Sequence, residues 1–168
     1  MFRKLTHISS AIFLLATVAV AQSPKSFKFV SINFPGASAT QANGINNHNQ
    51  IVGSFELGAG CNPTFLNCVD HGFRLISGKF TRFDVSGAVS TSIHGVNDLG
   101  DIVGSYRTKD NKTHGFLRLH TGKFTTLNFP DGRGTVAMAV NNALTVVGSA
   151  SDGLHGFVWK NGKFTQWD

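Results

Sequence analysis

An internal repeat constrains this chain more than any other feature, because a fixed period decides the fold before any local signal is considered. The word H-G-F begins at His71, His114 and His155, at spacings of 43 and 41 residues. The words G-K-F and V-G-S also occur three times with comparable spacing. The sequence therefore predicts three copies of one structural unit of about 40–50 residues.

The copies divide the chain into a single repeat domain over residues 22–168. We place the repeats at about 28–78, 79–122 and 123–162, followed by an extra terminal strand over 163–168. An earlier copy of that last strand is visible over 28–34. The extra C-terminal strand duplicates this copy and would be surplus in a perfect threefold arrangement.

Each copy contains four short apolar runs separated by turn residues, which is the spacing of an all-β domain. Apolar and small or polar residues alternate within the runs, as they do along strands. No stretch beyond the N-terminus shows a helical stripe. In the middle copy the predicted strands are Phe80–Val85, Ser90–Val96, Asp101–Tyr106 and His114–Leu119.

Turn residues separate these runs at equivalent positions. Gly100 suits a left-handed backbone, where a β-carbon would clash. Its equivalent Asn49 tolerates that conformation and its equivalent Leu144 does so poorly, so we expect a decayed or differently shaped turn in the third repeat. Hairpins are predicted at Ser77-Gly78, Thr121-Gly122 and Asn161-Gly162, since glycine at this place is a hairpin signal and Asn-Gly is among the strongest.

Four strands in each period of about 40–45 residues predict a β-propeller-like blade. A propeller typically needs at least four blades to close, so three repeats fall short. Two chains could form a six-bladed ring as a homodimer, or one chain could form an open array. A β-trefoil is the alternative fold, because its three four-stranded units have about this size. We favour the propeller-like arrangement.

The first 21 residues resemble a signal peptide and are excluded from the fold. Arg3 and Lys4 precede an apolar run over 8–20, and Ala19-Val20-Ala21 forms a small-residue cleavage site. We expect cleavage, export to the periplasm or the extracellular space, and no membrane span in the remaining chain. A retained N-terminal anchor is the alternative.

The charge of the chain does not predict nucleic-acid binding. The formal net charge is +6, and it falls to +4 without Arg3 and Lys4. The remaining basic residues are dispersed, whereas a nucleic-acid interface requires a basic stripe with interleaved aromatic residues.

Cys61 and Cys68 are the only cysteines and lie in the longest loop of the repeat series. In an oxidising compartment a close pair of cysteines predicts a disulfide. Its role would be to hold an inserted loop in one shape. A two-cysteine metal site is the alternative, although no second ligand pair lies nearby.

His71, His114 and His155 are the first residues to consider for chemistry, since three converging imidazoles could bind a metal. Each histidine shares a strand face with the Phe two residues later, so we predict a structural role and no metal. The slot occupied by Asn or Asp five residues after each repeat lysine is interpreted as a turn position. Its members are Asn33, Asp84, Asn128 and Asp168.

No catalytic residue and no cofactor are predicted. The serines after V-G are repeated, whereas a nucleophile is normally unique, and no phosphate loop, zinc motif or dinucleotide motif occurs. Most aromatic residues are Phe, which packs interiors, and no repeat position carries Tyr or Trp three times as a repeated sugar platform would require. The weak candidates for ligand contacts are Glu56, Asp70, Tyr106 and Trp159.

The combined words resemble the HAF family of extracellular repeats. The pattern G-[I/V]-N-x-x-G-x-I-V-G is followed by H-G-F, as at His71-Gly72-Phe73, and then by G-x-F-T. The resemblance covers about residues 27–168 and implies a secreted bacterial repeat protein with propeller-like blades and no established common activity.

Three functions follow as hypotheses. The leading one is a non-catalytic binding or structural module whose partner is a protein or a surface polysaccharide, with the Glu56–Asp70 loop as the first place to look. The second is a secreted hydrolase with a site assembled across repeats. The third is a scaffold without a small ligand.

Overall fold

The structure is a computed structural model that describes residues 26–58 and 69–167. The described residues fall into two units that divide between Val30 and Ser31. In the first unit the described residues 26–30 form no strand, and the side chains of Phe27, Phe29 and Val30 are exposed. All that follows concerns the second unit.

The described residues form twelve strands and no helix, which confirms the all-β prediction. The strands are β1 (Ala39–Ile45), β2 (Ile51–Glu56), β3 (Asp70–Ile76), β4 (Lys79–Phe83), β5 (Ser90–Val96), β6 (Ile102–Arg107), β7 (Thr113–Arg118), β8 (Phe124–Leu127), β9 (Thr135–Val140), β10 (Val146–Ala150), β11 (Gly156–Lys160) and β12 (Lys163–Trp167).

The strands form three antiparallel four-stranded sheets, each an up-and-down meander in chain order. The first sheet contains β1–β4, the second β5–β8 and the third β9–β12. Each sheet thus begins one strand later than the repeats drawn from the sequence, because the tight hairpin after β3 keeps β4 in the first sheet. The terminal strand completes the third sheet as β12 and is not surplus. The unmatched copy is residues 28–34, which form no strand.

The same five-residue loop joins the first two strands of every sheet. Asn49, Gly100 and Leu144 all have a positive φ, of 57°, 85° and 56°. The amide of each donates to the carbonyl of the asparagine three residues earlier, as in the bond from Leu144 to Asn141 at 3.0 Å. The expectation of a differently shaped third turn is therefore wrong. The third turn keeps its shape and holds a leucine in a conformation that is unfavourable for a side chain with a β-carbon.

Successive sheets pack face to face. Strand β5 lies against β2 and β3 of the first sheet, and β9 lies against β6 and β7 of the second. At the first interface Val52 packs with Ile93, Ile102 and Phe116. At the second interface the cluster includes Val103, Leu117, Ala137, Val146 and Phe157. Buried apolar side chains of this size each contribute about 1.5–3 kcal/mol, so these two interfaces are the core.

The glycine of each V-G-S motif lies opposite a bulge in the first strand of its sheet, and this position requires a residue without a β-carbon. The pairing of β5 with β6 shifts register between Ile93 and Gly95, and the corresponding shifts occur in the other two sheets. A β-carbon on Gly104 would overlap the carbonyl oxygen of Ser92. Only glycine allows the two backbones to approach this closely.

A threonine hydroxyl anchors the segment that leads into each sheet. The amide of Phe34 donates to Thr40 Oγ1 at 2.9 Å. The equivalent bonds run from Val85 to Thr91 at 3.0 Å and from Phe129 to Thr135 at 2.7 Å. Each bond fixes the apolar residue that covers one face of the following sheet. The sequence pattern contains these threonines, but their pairing with an amide six residues earlier was not predicted.

Candidate ligand groove and the asparagine ladder

A groove opens between the first and second sheets, with a volume of about 580 Å³. The end of β4 and the segment after it form one wall, and β6, β7 and β8 form the other. We call this cavity the aromatic groove. It is lined by Phe83, Asp84, Val85, Ser86, Gly87, Tyr106, Thr108, Arg118, Phe124 and Thr126.

The groove exists because two residues depart from the repeat. Val85 occupies the position that Phe34 and Phe129 fill in the other two sheets, since all three anchor through the same threonine bond. Phe129 is buried against Phe157 and Phe164, with ring centroids 6.0 Å and 5.7 Å away. The smaller valine leaves the corresponding space open.

The second departure is Arg118, which aligns with Trp159 in the third sheet by strand register. Trp159 packs against the core at the second interface. The cavity that Trp159 lines there has a volume of about 110 Å³. A polar cavity of about 390 Å³ also lies beside Phe129, so the first interface is distinguished by the aromatic lining and Arg118 and not by the presence of a cavity.

Arg118 supplies a cation within an apolar wall. Its guanidinium carbon lies 5.4 Å from the centre of the Phe83 ring, the distance of a cation–π contact. No hydrogen bond or ion pair joins this guanidinium to another residue of the described ranges. Its five N–H donors are thus available to an anionic ligand, and carboxylates are bound well by this planar group.

The other polar groups of the groove suit a ligand that carries hydroxyls. The Tyr106 hydroxyl lies 3.1 Å from Thr126 Oγ1, and its ring stacks on His114 at 5.1 Å. Asp84 is occupied, because Arg82 Nε lies 2.6 Å from one carboxylate oxygen and His71 Nδ1 lies 3.0 Å from the other. The groove therefore presents exposed ring surface, hydroxyls and one uncompensated positive charge.

The H-G-F histidines lie beside the Asn/Asp slot that the sequence indicates. His71 Nδ1 contacts Asp84 at 3.0 Å, and His114 Nδ1 contacts Asn128 at 2.7 Å. His155 contacts Asp152 at 3.2 Å and also Arg133. Its slot partner Asp168 lies outside the described residues. His71 and His114 thus join the third strand of their sheet to the residue that follows the fourth strand.

The four weak ligand candidates fall in different places. Tyr106 lies in the aromatic groove, while Trp159 lies at the other interface. Glu56 and Asp70 are direct partners across β2 and β3, and Asp70 accepts a bond from Ser92 Oγ at 3.1 Å. The groove residues Arg118 and Val85 were not identified from the sequence. The sequence marks each of them only by a difference from the residues at the equivalent position of the other copies.

A row of asparagines joins the loops of the three sheets, and we call Asn46, Asn97 and Asn141 the asparagine ladder. Asn46 Nδ2 donates to the Asn97 carbonyl at 2.9 Å, and Asn97 Nδ2 donates to the Asn141 carbonyl at 3.2 Å. Asn97 is buried and also bonds Asp101 through both side-chain ends. The ladder fixes the spacing of consecutive sheets.

The next residue of each loop forms a second row. The Asn47 amide and side chain donate to the two Asp98 carboxylate oxygens, both at 3.0 Å. The Asp98 amide donates to Asn142 Oδ1 at 3.0 Å. These bonds from Asn47 lower the pKa of the Asp98 carboxyl below its usual value. The two rows line a shallow polar cavity of about 260 Å³.

Cys61 and Cys68 lie outside the described residues, so the disulfide remains a prediction. Among the residues that are described, no group of three or more His, Cys, Asp or Glu side chains could hold a metal ion. In the same ranges, no helix with the length and apolar character of a membrane span occurs.

Comparison with protein-family models, with curated proteins and with solved structures gives no match for this chain. The resemblance to the HAF repeats accordingly stays a prediction from the sequence words.

Proposed function

We propose that this chain is a secreted, non-catalytic binding protein, built from propeller-like blades, that holds an acidic polysaccharide segment in the aromatic groove. The observation that carries this proposal is that two residues lining the groove, Val85 and Arg118, depart from the repeat. A feature that only one copy carries is not required for the repeat fold and is free to serve a ligand.

The blade arrangement is supported by the strand pairing. Every described strand pairs only within its own sheet, each sheet is a meander, and successive sheets stack through their faces. This pattern favours blades over the trefoil. Ligands of such folds meet the loops or the clefts between elements.

The ligand class follows from the lining of the groove. Its volume lies within the roughly 300–1,000 Å³ of small-molecule sites. Tyr106 and Phe124 offer ring faces, and Ser86 and Thr126 offer hydroxyls to a polyhydroxylated chain. Arg118 would pair with a carboxylate of that chain. A sugar acid combines these three properties.

The test uses substitutions that transplant residues from the other repeats, which the fold already accepts. Isothermal titration calorimetry would compare oligogalacturonate with neutral malto-oligosaccharides of equal length. We expect the native chain to bind the acidic series, Arg118→Leu to bind it at least ~10-fold more weakly, and Val85→Phe to lose binding. Val30→Phe, the same change at an exposed position outside the groove, should bind as the native chain does.

Equal affinity for Val85→Phe and the native chain would place the ligand elsewhere. Binding of both series with equal affinity would refute the role given to Arg118. Failure of the native chain to bind any acidic oligosaccharide would overturn the ligand class. Export itself is checked by fractionating the producing cells and sequencing the N-terminus of the released chain.

A hydrolase is the second candidate, and one contact favours it. Ser105 Oγ lies 3.0 Å from His94 Nε2, and only the second sheet carries histidine at this position. Burial lowers the pKa of His94, and the nearby Asp70 charge opposes that shift. No carboxylate hydrogen-bonds to the His94 ring within the described ranges. A fluorophosphonate probe that labels the native chain but not Ser105→Ala would establish the hydrolase, and absence of labelling would exclude a serine nucleophile here.

A further inference from the structure

The three sheets leave two unmatched faces, one at each end of the stack. Val52 of the first sheet and Val103 of the second are equivalent by register, and both are 0% exposed because the next sheet covers them. Their counterpart in the third sheet is Val147, which is 42% exposed. At another position of the same face Leu127 is 1% exposed, whereas Trp167 is 66% exposed.

At the opposite end of the stack, the first sheet has no preceding sheet to cover its outer face. Ile93 of the second sheet and Ala137 of the third are 0% exposed, since the preceding sheet covers them. The first-sheet residue at this register is Ala42, which is exposed. Ile45 in the same strand is 62% exposed. One end thus lacks a following sheet and the other lacks a preceding sheet.

The asparagine ladder stops at the same two places. Asn46 and Asn97 each donate from Nδ2 to the carbonyl of the next loop. Asn141 accepts such a bond, but its own Nδ2 donates to no other residue within the described ranges. The Asn46 carbonyl likewise receives no side-chain amide from a preceding loop there. The stack therefore ends with an unused donor, and it begins with the Asn46 carbonyl, which within the described ranges accepts only the Asn49 amide of its own loop, at 3.1 Å.

We propose that a second copy of this chain occupies both ends, so that the outer face of the third sheet of each copy packs on the outer face of the first sheet of the other. The contact would repeat the geometry already used twice within the chain, with the Asn141 amide donating to the Asn46 carbonyl of the second copy. Two copies supply six sheets, within the four to eight blades of closed propellers. The contact is head-to-tail, and two such contacts related by a twofold axis close a ring.

This proposal is independent of the ligand, because the aromatic groove lies between the first two sheets and neither outer face contributes to it. Closure would also remove both exposed apolar faces from water, which is the usual fate of such surfaces in soluble proteins.

The experiment measures the mass of the full chain, expressed with export, by light scattering after size exclusion over a wide range of concentrations. We expect twice the chain mass for the native protein. Val147→Glu and Ile45→Lys should each give the mass of one chain, because each places a charge in one of the two faces. Leu154→Glu, at a residue that is 79% exposed in a turn outside both faces, should stay at twice the mass.

Mixing the two monomeric variants distinguishes a head-to-tail contact from a face that meets itself. In the mixed pair one contact has two native faces, and the other joins the introduced acid to the introduced base. We expect the mixture to return to twice the chain mass, and circular dichroism to show that each variant is folded. A native protein of single-chain mass at all concentrations, a mixture that stays monomeric, or an open polymer would each overturn the proposal.

Discussion

Replacing Thr135 by valine tests whether the threonine bond, rather than apolar packing alone, holds the segment before each sheet. Thr135 is 0% exposed, and its Oγ1 accepts the amide of Phe129, which is 4% exposed, at 2.7 Å. Valine has nearly the same shape but cannot accept, so the buried amide would be left without a partner. An unsatisfied buried group costs about 1–3 kcal/mol, and the added methyl returns about 0.8 kcal/mol.

The same bond occurs in two other settings, which provide an internal control. Thr40 accepts the amide of Phe34 at 2.9 Å, but both residues are only half-buried. Water can replace the lost acceptor there, so Thr40→Val should cost about 0.5 kcal/mol or less. Thr91, buried but bonded to the half-buried Val85, should fall between the two.

Urea unfolding followed by circular dichroism gives the three free energies of unfolding. We expect Thr135→Val to lose about 1 kcal/mol, near the middle of the difference between these two contributions, with the midpoint lowered and the denaturant slope unchanged. An equal loss in Thr135→Val and Thr40→Val would refute the reasoning, because burial would then not set the cost of the missing acceptor. A loss in Thr135→Val below about 0.5 kcal/mol would mean that packing alone holds Phe129.

Three further changes are predicted. Ser77→Asn should raise the free energy of unfolding, measured in urea, by about 0.5–1 kcal/mol. Ser77 has a φ of 49° at a hairpin position that favours Asn. Thr121→Asn should give no gain, because the left-handed residue of that hairpin is Gly122. Burial alone would raise the pKa of the Asp101 carboxyl, but bonds from the His120 amide and from Asn97 hold the pKa below its usual value. The resulting stability is present above the pKa of about 4 in the unfolded chain and is lost as the pH falls through the folded value, so the deficit of Asp101→Asn should be larger at pH 7 than at pH 3; an equal deficit at both would contradict this. Val85→Phe should raise the free energy of unfolding by about 0.5–1 kcal/mol while abolishing ligand binding, since it fills the groove as Phe129 fills the other interface; a loss of stability would show that the groove cannot accept the ring.

The strands and the loops could be predicted because they depend on local sequence patterns, and each pattern occurs three times in the chain. The second predicted strand of the middle copy, Ser90–Val96, coincides with β5. The same sequence motifs could not predict which strand begins each sheet, since a pattern of four strands that repeats along the chain does not indicate where one sheet ends. Tertiary pairing decides this point: β4 bonds β3, and β5 begins a new sheet.

The Leu144 turn was misjudged for a related reason. Local preference disfavours leucine at a positive φ, but the loop is held by Asn141, whose Oδ1 accepts the amides of Ala143 and Thr145 at 3.0 Å and 2.9 Å. Bonds from a neighbouring side chain override the preference of one residue. The sequence contains both residues, yet the strength of the combination is visible only in the folded loop.

Repetition in the sequence indicates which residues build the fold, but it does not indicate which residues line the proposed ligand groove. It favours a structural role for His71 and its copies, because three equivalent sites seldom serve one reaction. It does not draw attention to Val85 and Arg118, because these residues are notable only for differing from the residues at the equivalent positions of the other copies. In a repeat chain the shared residues build the interfaces, so the unshared residues at an interface are the ones the fold does not require. Here they line a cavity of about 580 Å³ between two sheets, and this coincidence is the physical basis for seeking the ligand there.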